Sequence, residues 1–144
     1  MSTAIHRRVE ACRAGADPTR IARLPSGWAV MGDPQVLPGY CLLLPDPVVP
    51  HLNAMPTVAQ VAFLTDMARL GQAVHELTGS VRINYAMFGN LEPALHAHVF
   101  PRFEHEPAEF RHVHPWAYDW AQARRFDAAA DGPLQAALRA RLAP

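Results

Sequence analysis

The 144-residue chain contains no lysine, since all thirteen of its basic residues are arginine. A phosphate-loop lysine, a Schiff-base lysine and a lysine general base are thereby excluded. Net charge is absent too, because thirteen acidic residues balance the arginines. The electrostatic excess behind non-specific binding to nucleic acid or anionic lipid is therefore missing. Cysteine is limited to Cys12 and Cys41, which are far apart and show no CxxC spacing. That rules out a disulfide scaffold or a thiolate zinc site and points to a reducing cytoplasm. No apolar run approaches the roughly 18 residues of a membrane span, and the polar opening MSTAIHRRVEACRAG does not read as an export signal. Linkers and repeats are also lacking, and the fourteen prolines punctuate short elements instead of forming a low-complexity tract. With 50% hydrophobic residues, 1–144 is expected to form a single domain around a substantial core.

The spacing of Ile5, Val9 and Cys12 predicts a helix from Thr3 to about Ala14, ended by Gly15 and the Asp17-Pro18 step. Two short apolar runs, Trp28 to Met31 and Tyr40 to Leu44, flank GDPQVLPG and predict a hairpin. Thr57 is a good helix cap, and Phe63, Met67, Leu70, Val74 and Leu77 follow at alternating steps of four and three. Val61, Leu64 and Ala68 form a second stripe, so this long helix is expected to be buried on more than one side. Gly79 closes it. Ser80 to Phe88 and Leu95 to Phe103 then read as antiparallel strands joined by GNLEP. A C-terminal helix is expected to carry Pro133 in its first turn. The order implies an α+β domain on an antiparallel sheet.

The chemistry concentrates in ALHAHVFPR. Period-two geometry puts Ala94, His96 and His98 on one face of the strand and Leu95, Ala97 and Val99 on the core face. Two imidazoles about 7 Å apart on an open sheet face offer titratable nitrogens near neutral pH. Alone, such a pair reads equally as polar surface.

Its context, INYAMFGNLEPALHAHVFPRF, resembles the histidine triad family of nucleotide hydrolases and transferases, whose signature is three histidines alternating with apolar residues, often followed by Pro-Arg. Gly89, Asn90 and Pro93 match the bacterial branch, and MGDPQVLPGYCLLLP is similar to the family's first hairpin. His96 and His98 fall on the second and third triad positions, whereas Ala94 occupies the first. The resemblance implies an α+β fold with a five-stranded antiparallel sheet, one long helix and shorter terminal helices. It also implies that His96 is the nucleophile toward a nucleotide α-phosphorus and that His98 donates to a phosphate oxygen, with Asn90 orienting the phosphate or leaving group. Its implied nucleotide-binding set is Asp33 for the ribose hydroxyls together with Gly89, Arg102 and Tyr40. Tyr40 stands where many relatives have a fourth histidine, and either fills that space or packs on the sheet. The resemblance further implies a homodimer acting on a dinucleoside polyphosphate or a nucleoside phosphoramidate, without a metal cofactor except magnesium carried by a polyphosphate.

Two other readings stay open. Ala94 suits a family-fold protein that binds nucleotides without turning them over. His96, His98, His105, His112 and His114 with Glu104 include two HxH pairs, a donor set for zinc or iron. Trp116, Tyr118 and Trp120 add aromatic area that fits an interface or a small core equally.

Overall fold

The structure, a computed structural model, describes residues 2–144. Thr3 starts helix α1 (Ala4–Arg13): its hydroxyl accepts from the Ile5 and His6 amides while the His6 ring accepts from the Thr3 amide. Donors that every helix start leaves orphaned are thus paired. Strand β1 (Arg20–Leu24) follows, an element that counting apolar runs passes over. A register shift between Arg20 and Ala22 breaks its alternation, and the Arg20 and Arg23 guanidinium groups lie over the Trp28 ring.

Strands β2 (Gly27–Met31) and β3 (Cys41–Pro45) form the expected hairpin, with Trp28 opposite Leu44 and Met31 opposite Cys41. Helix α2 (Thr57–Thr78) takes Pro56, not Thr57, as its N-cap, and ends at Gly79 in the left-handed region at φ 70°. Phe63, Leu70 and Val74 are buried, but Val61 and Leu64 are 59% and 36% exposed, so only one stripe of α2 is covered. The helix packs on one sheet face, and among the described residues nothing covers its outer stripe. Buried Asp66 pins it there by accepting from the Ser26 amide (2.8 Å) and hydroxyl (2.6 Å) in the β1–β2 turn.

Strands β4 (Arg82–Ala86) and β5 (Ala97–Arg102) pair antiparallel and are shorter than the sequence suggests. Their ladder stops at Ala86 opposite His98, because the Leu95 amide is donated to the Val49 carbonyl (2.8 Å) instead. After a short helix α3 (Ala108–Arg111) come two 3-10 turns at Pro115–Ala117 and Trp120–Gln122. Helix α4 (Ala128–Leu142) begins earlier than expected, because Asp127 caps it by accepting from the Ala130 amide. Pro133 therefore lies inside the helix, not in its first turn.

The sheet order is β1-β2-β3-β5-β4, all antiparallel. Both faces are covered. Ala29, Met31, Cys41, Leu43, Ala97 and Val99 point to α2 and α4, while Val30, Leu42, Leu44 and Phe100 point to the α1 side with Ile5 and Val9. No helix among the described residues is long and apolar enough to cross a membrane.

Arg102, at the end of β5, organises the chain that follows. All five guanidinium N–H groups are occupied: they donate to Glu106, to Asn84 Oδ1 (2.8 Å), and to the Phe110 (2.8 Å) and Val113 (2.7 Å) carbonyls. Glu106 also accepts from Tyr118 Oη (2.6 Å) and the Phe103 amide (2.6 Å). Burial pushes the Glu106 carboxyl up, and the bonds from Arg102, Tyr118 and Phe103 override it and hold the group below its ordinary value. Its contribution to stability is accordingly present above the unfolded carboxylate range and lost as pH falls through the lower folded value. Arg102→Leu strands a buried carboxylate, with an expected loss of about 3 kcal/mol in urea unfolding near pH 7. The deficit should shrink when the measurement is repeated in acid.

Candidate active site

His96 immediately precedes β5, and His98 sits within it opposite Leu42 of β3 and Ala86 of β4. Their rings share a face with Phe100 and lie 4.9 Å apart edge to face. That face is not open sheet, as the sequence suggests, but the floor of a cleft.

The protonation of the two rings follows from their partners. His96 Nδ1 is 2.8 Å from the Ala94 carbonyl, which only accepts, so Nδ1 carries the proton and Nε2 presents a lone pair. His98 Nδ1 is 2.7 Å from the Tyr40 hydroxyl. Tyr40 is buried with no other hydroxyl partner among the described residues, and burial pushes its pKa up, so it stays protonated and donates to Nδ1. His98 therefore carries its hydrogen on Nε2. Burial, and then the neighbouring His96, lower the His98 pKa to about 4, keeping it a neutral donor at physiological pH. A nucleophilic nitrogen and a donor nitrogen thus stand side by side.

The turn before β3 is built around Tyr40. Its ring stacks on Phe100 (4.4 Å) and meets Trp120 edge to face (5.6 Å). Gly32 makes room, since a Cβ there would lie 2.1 Å from a Tyr40 ring carbon. Gln35 Nε2 donates to the Gly32 and Tyr40 carbonyls and Oε1 accepts from the Gly39 amide, fixing the loop. Tyr40 thus neither contacts the cleft nor merely packs. It holds His98 from behind.

Around the histidines opens a cavity of about 1000 Å³. Phe88 and the loop Gly89 to Glu92 form one wall, with Pro115, Trp116 and Trp120 opposite. Trp116 stands 5.0 Å from both His98 and Phe88, edge to face. Gly89 and Asn90 line the cleft, with Asn90 exposed. Asp33 does not reach it. Both Asp33 oxygens are held by Arg125 (2.8 and 3.1 Å), and one also accepts the Phe126 amide (3.0 Å). Arg102 is likewise displaced from the expected set, lining an adjoining groove with its donors spent. The carboxylate that does line the cleft is Glu92, one of whose oxygens accepts the Ala4 amide (3.1 Å). Nothing in GNLEP distinguishes Glu92 from an ordinary turn residue, so sequence reasoning passes over it. His105, His112 and His114 are exposed, and among the described residues no three His, Cys, Asp or Glu side chains gather where a metal would need them. The five-histidine centre is therefore not assembled.

Neither a protein-family model nor a curated protein matches the chain. Solved structures do. A histidine triad protein from Bradyrhizobium japonicum matches with a TM-score of 0.77 at 25% identity, covering 99% of this chain and 100% of that one. A hypothetical histidine triad nucleotide-binding protein from Sulfolobus tokodaii matches at 12% identity and TM-score 0.72, covering 93% and 89%. A zinc-bound histidine triad family protein from Mycobacterium smegmatis matches at 22% identity and TM-score 0.62, covering 92% and 91%.

In an NMR titration His98 should stay neutral until pH falls to about 4. Its ¹⁵N shifts should report the Nε2–H tautomer. Tyr40→Phe removes the donor to Nδ1 and should mix the two tautomers, at a stability cost of about 1 kcal/mol.

Proposed function

From the histidine triad fold and this pair of complementary imidazoles, we propose that the chain is a nucleotide hydrolase or transferase that cleaves at the α-phosphate through a nucleotidyl-His96 intermediate. The observation that carries the reading is the opposite protonation of the two Nε2 atoms. The His96 Nε2 lone pair attacks the α-phosphorus, and the bond to the leaving group breaks with its electron pair departing on the leaving atom. The His98 Nε2–H donates to a non-bridging oxygen, where charge accumulates in the transition state. Water then attacks the same phosphorus. The N–P pair returns to His96, the water proton passes to solvent, and a nucleoside monophosphate is released. Ala94 at the first triad position is no obstacle, since its carbonyl alone orients His96.

The aromatic walls, Phe88 and Trp116, suit a nucleobase, and Asn90 suits the phosphate. Glu92 takes the ribose role that the resemblance implies for Asp33. No metal is required by this chemistry, and magnesium enters only as an ion carried by a polyphosphate substrate. The exposed Val58, Val61 and Leu64 of α2, together with the unpaired edge of β4, favour a homodimer. A second reading, nucleotide binding without turnover, is favoured only by Ala94.

Release of nucleoside monophosphate from diadenosine tri- and tetraphosphate, adenosine 5′-phosphoramidate and an adenylylated lysine analogue tests the assignment. Turnover of at least one substrate is expected, with loss of at least about a thousandfold in His96→Ala. AMP binding without any turnover would establish the second reading. Sedimentation at micromolar concentration should give twice the chain mass, and a monomer would refute the dimer.

A further inference from the structure

Pairing of β4 with β5 extends the cleft along the sheet. Antiparallel register places Ala86 opposite His98, Asn84 opposite Phe100 and Arg82 opposite Arg102, so these side chains share one face. Beyond the histidine cleft that face becomes a second groove of about 530 Å³, walled on the far side by the segment that includes Arg111 and His112. Asn84 and His114 line both cavities, so the two adjoin along the strand. From His98 to Arg102 they run roughly 13 Å along the strand, at about 3.3 Å per residue.

Donors line the second groove. Asn84 spends its carbonyl oxygen on Arg102, leaving its amide N–H groups for the groove. Arg82 makes no hydrogen bond or ion pair among the described residues, whereas nearly every other arginine does. Arg111 meets only Glu104, at 3.9 Å to the carboxylate and 3.3 Å to the carbonyl, and that carboxylate side chain is 82% exposed. Arg102 and Glu106 cancel each other. The groove therefore presents two guanidinium groups whose charge is little compensated, against the one loosely held Glu104 carboxylate.

We infer that this groove is the subsite for the leaving group, and that the leaving group is a polyanion such as a polyphosphate chain, with Arg82 and Arg111 as its ligands. The inference rests on the proposed function and narrows its substrate class. The chemistry at the histidines agrees. A departing amine must be given a proton, and a departing phosphate leaves as an anion that needs none. His96 spends its Nε2 lone pair on phosphorus while its Nδ1–H stays on the Ala94 carbonyl, and neutral His98 could release its Nε2 proton only by taking the Tyr40 proton at Nδ1, which the burial of that phenol opposes. The phosphorus–oxygen bond thus breaks with both electrons going to the bridging oxygen, and the resulting phosphate is received by the guanidinium groups.

The test is the double variant Arg82→Ala/Arg111→Ala, assayed against wild type with diadenosine tetraphosphate and with adenosine 5′-phosphoramidate. In parallel, inorganic tripolyphosphate is titrated calorimetrically into both proteins. The expected result is a fall of at least about tenfold in the ratio of kcat/KM for the tetraphosphate over the phosphoramidate, mostly through KM, with a matching loss of tripolyphosphate affinity. An unchanged ratio, or equal tripolyphosphate affinity in the two proteins, overturns the subsite. If wild type turns over neither substrate, the proposed function fails by itself and the tripolyphosphate titration alone decides the groove.

Discussion

Strand β5 is paired along both edges and packed on both faces, and the rest of the molecule is arranged to satisfy it. Its odd-numbered residues, Ala97 and Val99, are committed to the core beneath α2 and α4. A one-residue slip would turn every side chain over, so the register that buries those residues also fixes His98 on the opposite face, with His96 just before it. Hydrophobic burial therefore sets the position of the reactive groups. Hydrogen bonding then sets their protonation, with one ring held by a carbonyl of the turn just before the strand and the other by a phenol from the neighbouring turn.

Those two hydrogen bonds are both made without a histidine at position 94. Ala94 contributes through its backbone, which any residue supplies, and its small buried side chain packs in the same cluster as Tyr40 and Phe100. Tyr40 is a stiffer support than a histidine because it cannot change tautomer and holds its proton throughout the physiological range. The Tyr40 side chain is in turn held by a glycine with no room for a Cβ and by a buried glutamine that closes the loop. The donor character of His98 thus traces back to a turn more than fifty residues earlier in the chain.

Much of this was legible in the sequence, for identifiable reasons. Period-two and period-3.6 patterns located β2, β3, α1 and α2, and the same alternation correctly separated His96 and His98 from the core residues between them. It failed where the pattern is broken or satisfied elsewhere. β1 is bulged and rich in arginine, and α2 has an apolar stripe that nothing among the described residues covers. The histidines and the Gly89-Asn90 turn were found because they lie in or beside one strand. Glu92 lies in that same turn but looks like any turn residue, Trp116 and Trp120 reach the cleft from a later segment, and the contact that removes Asp33 joins partners 92 positions apart.

The stretch from Phe103 to Asp127 is held at a few points, chiefly the Arg102–Glu106 node and the Arg125–Asp33 pair, and it supplies the far wall of both cavities. The sheet and the turn before β5 hold the two imidazoles, and this segment shapes much of the space around them. The imidazole pair and the far wall thus belong to separate, consecutive portions of the chain. Evolution is free to rewrite the second while leaving the first untouched, and a designer could graft a foreign wall between the same two anchor points to reshape the cleft beside an unchanged imidazole pair.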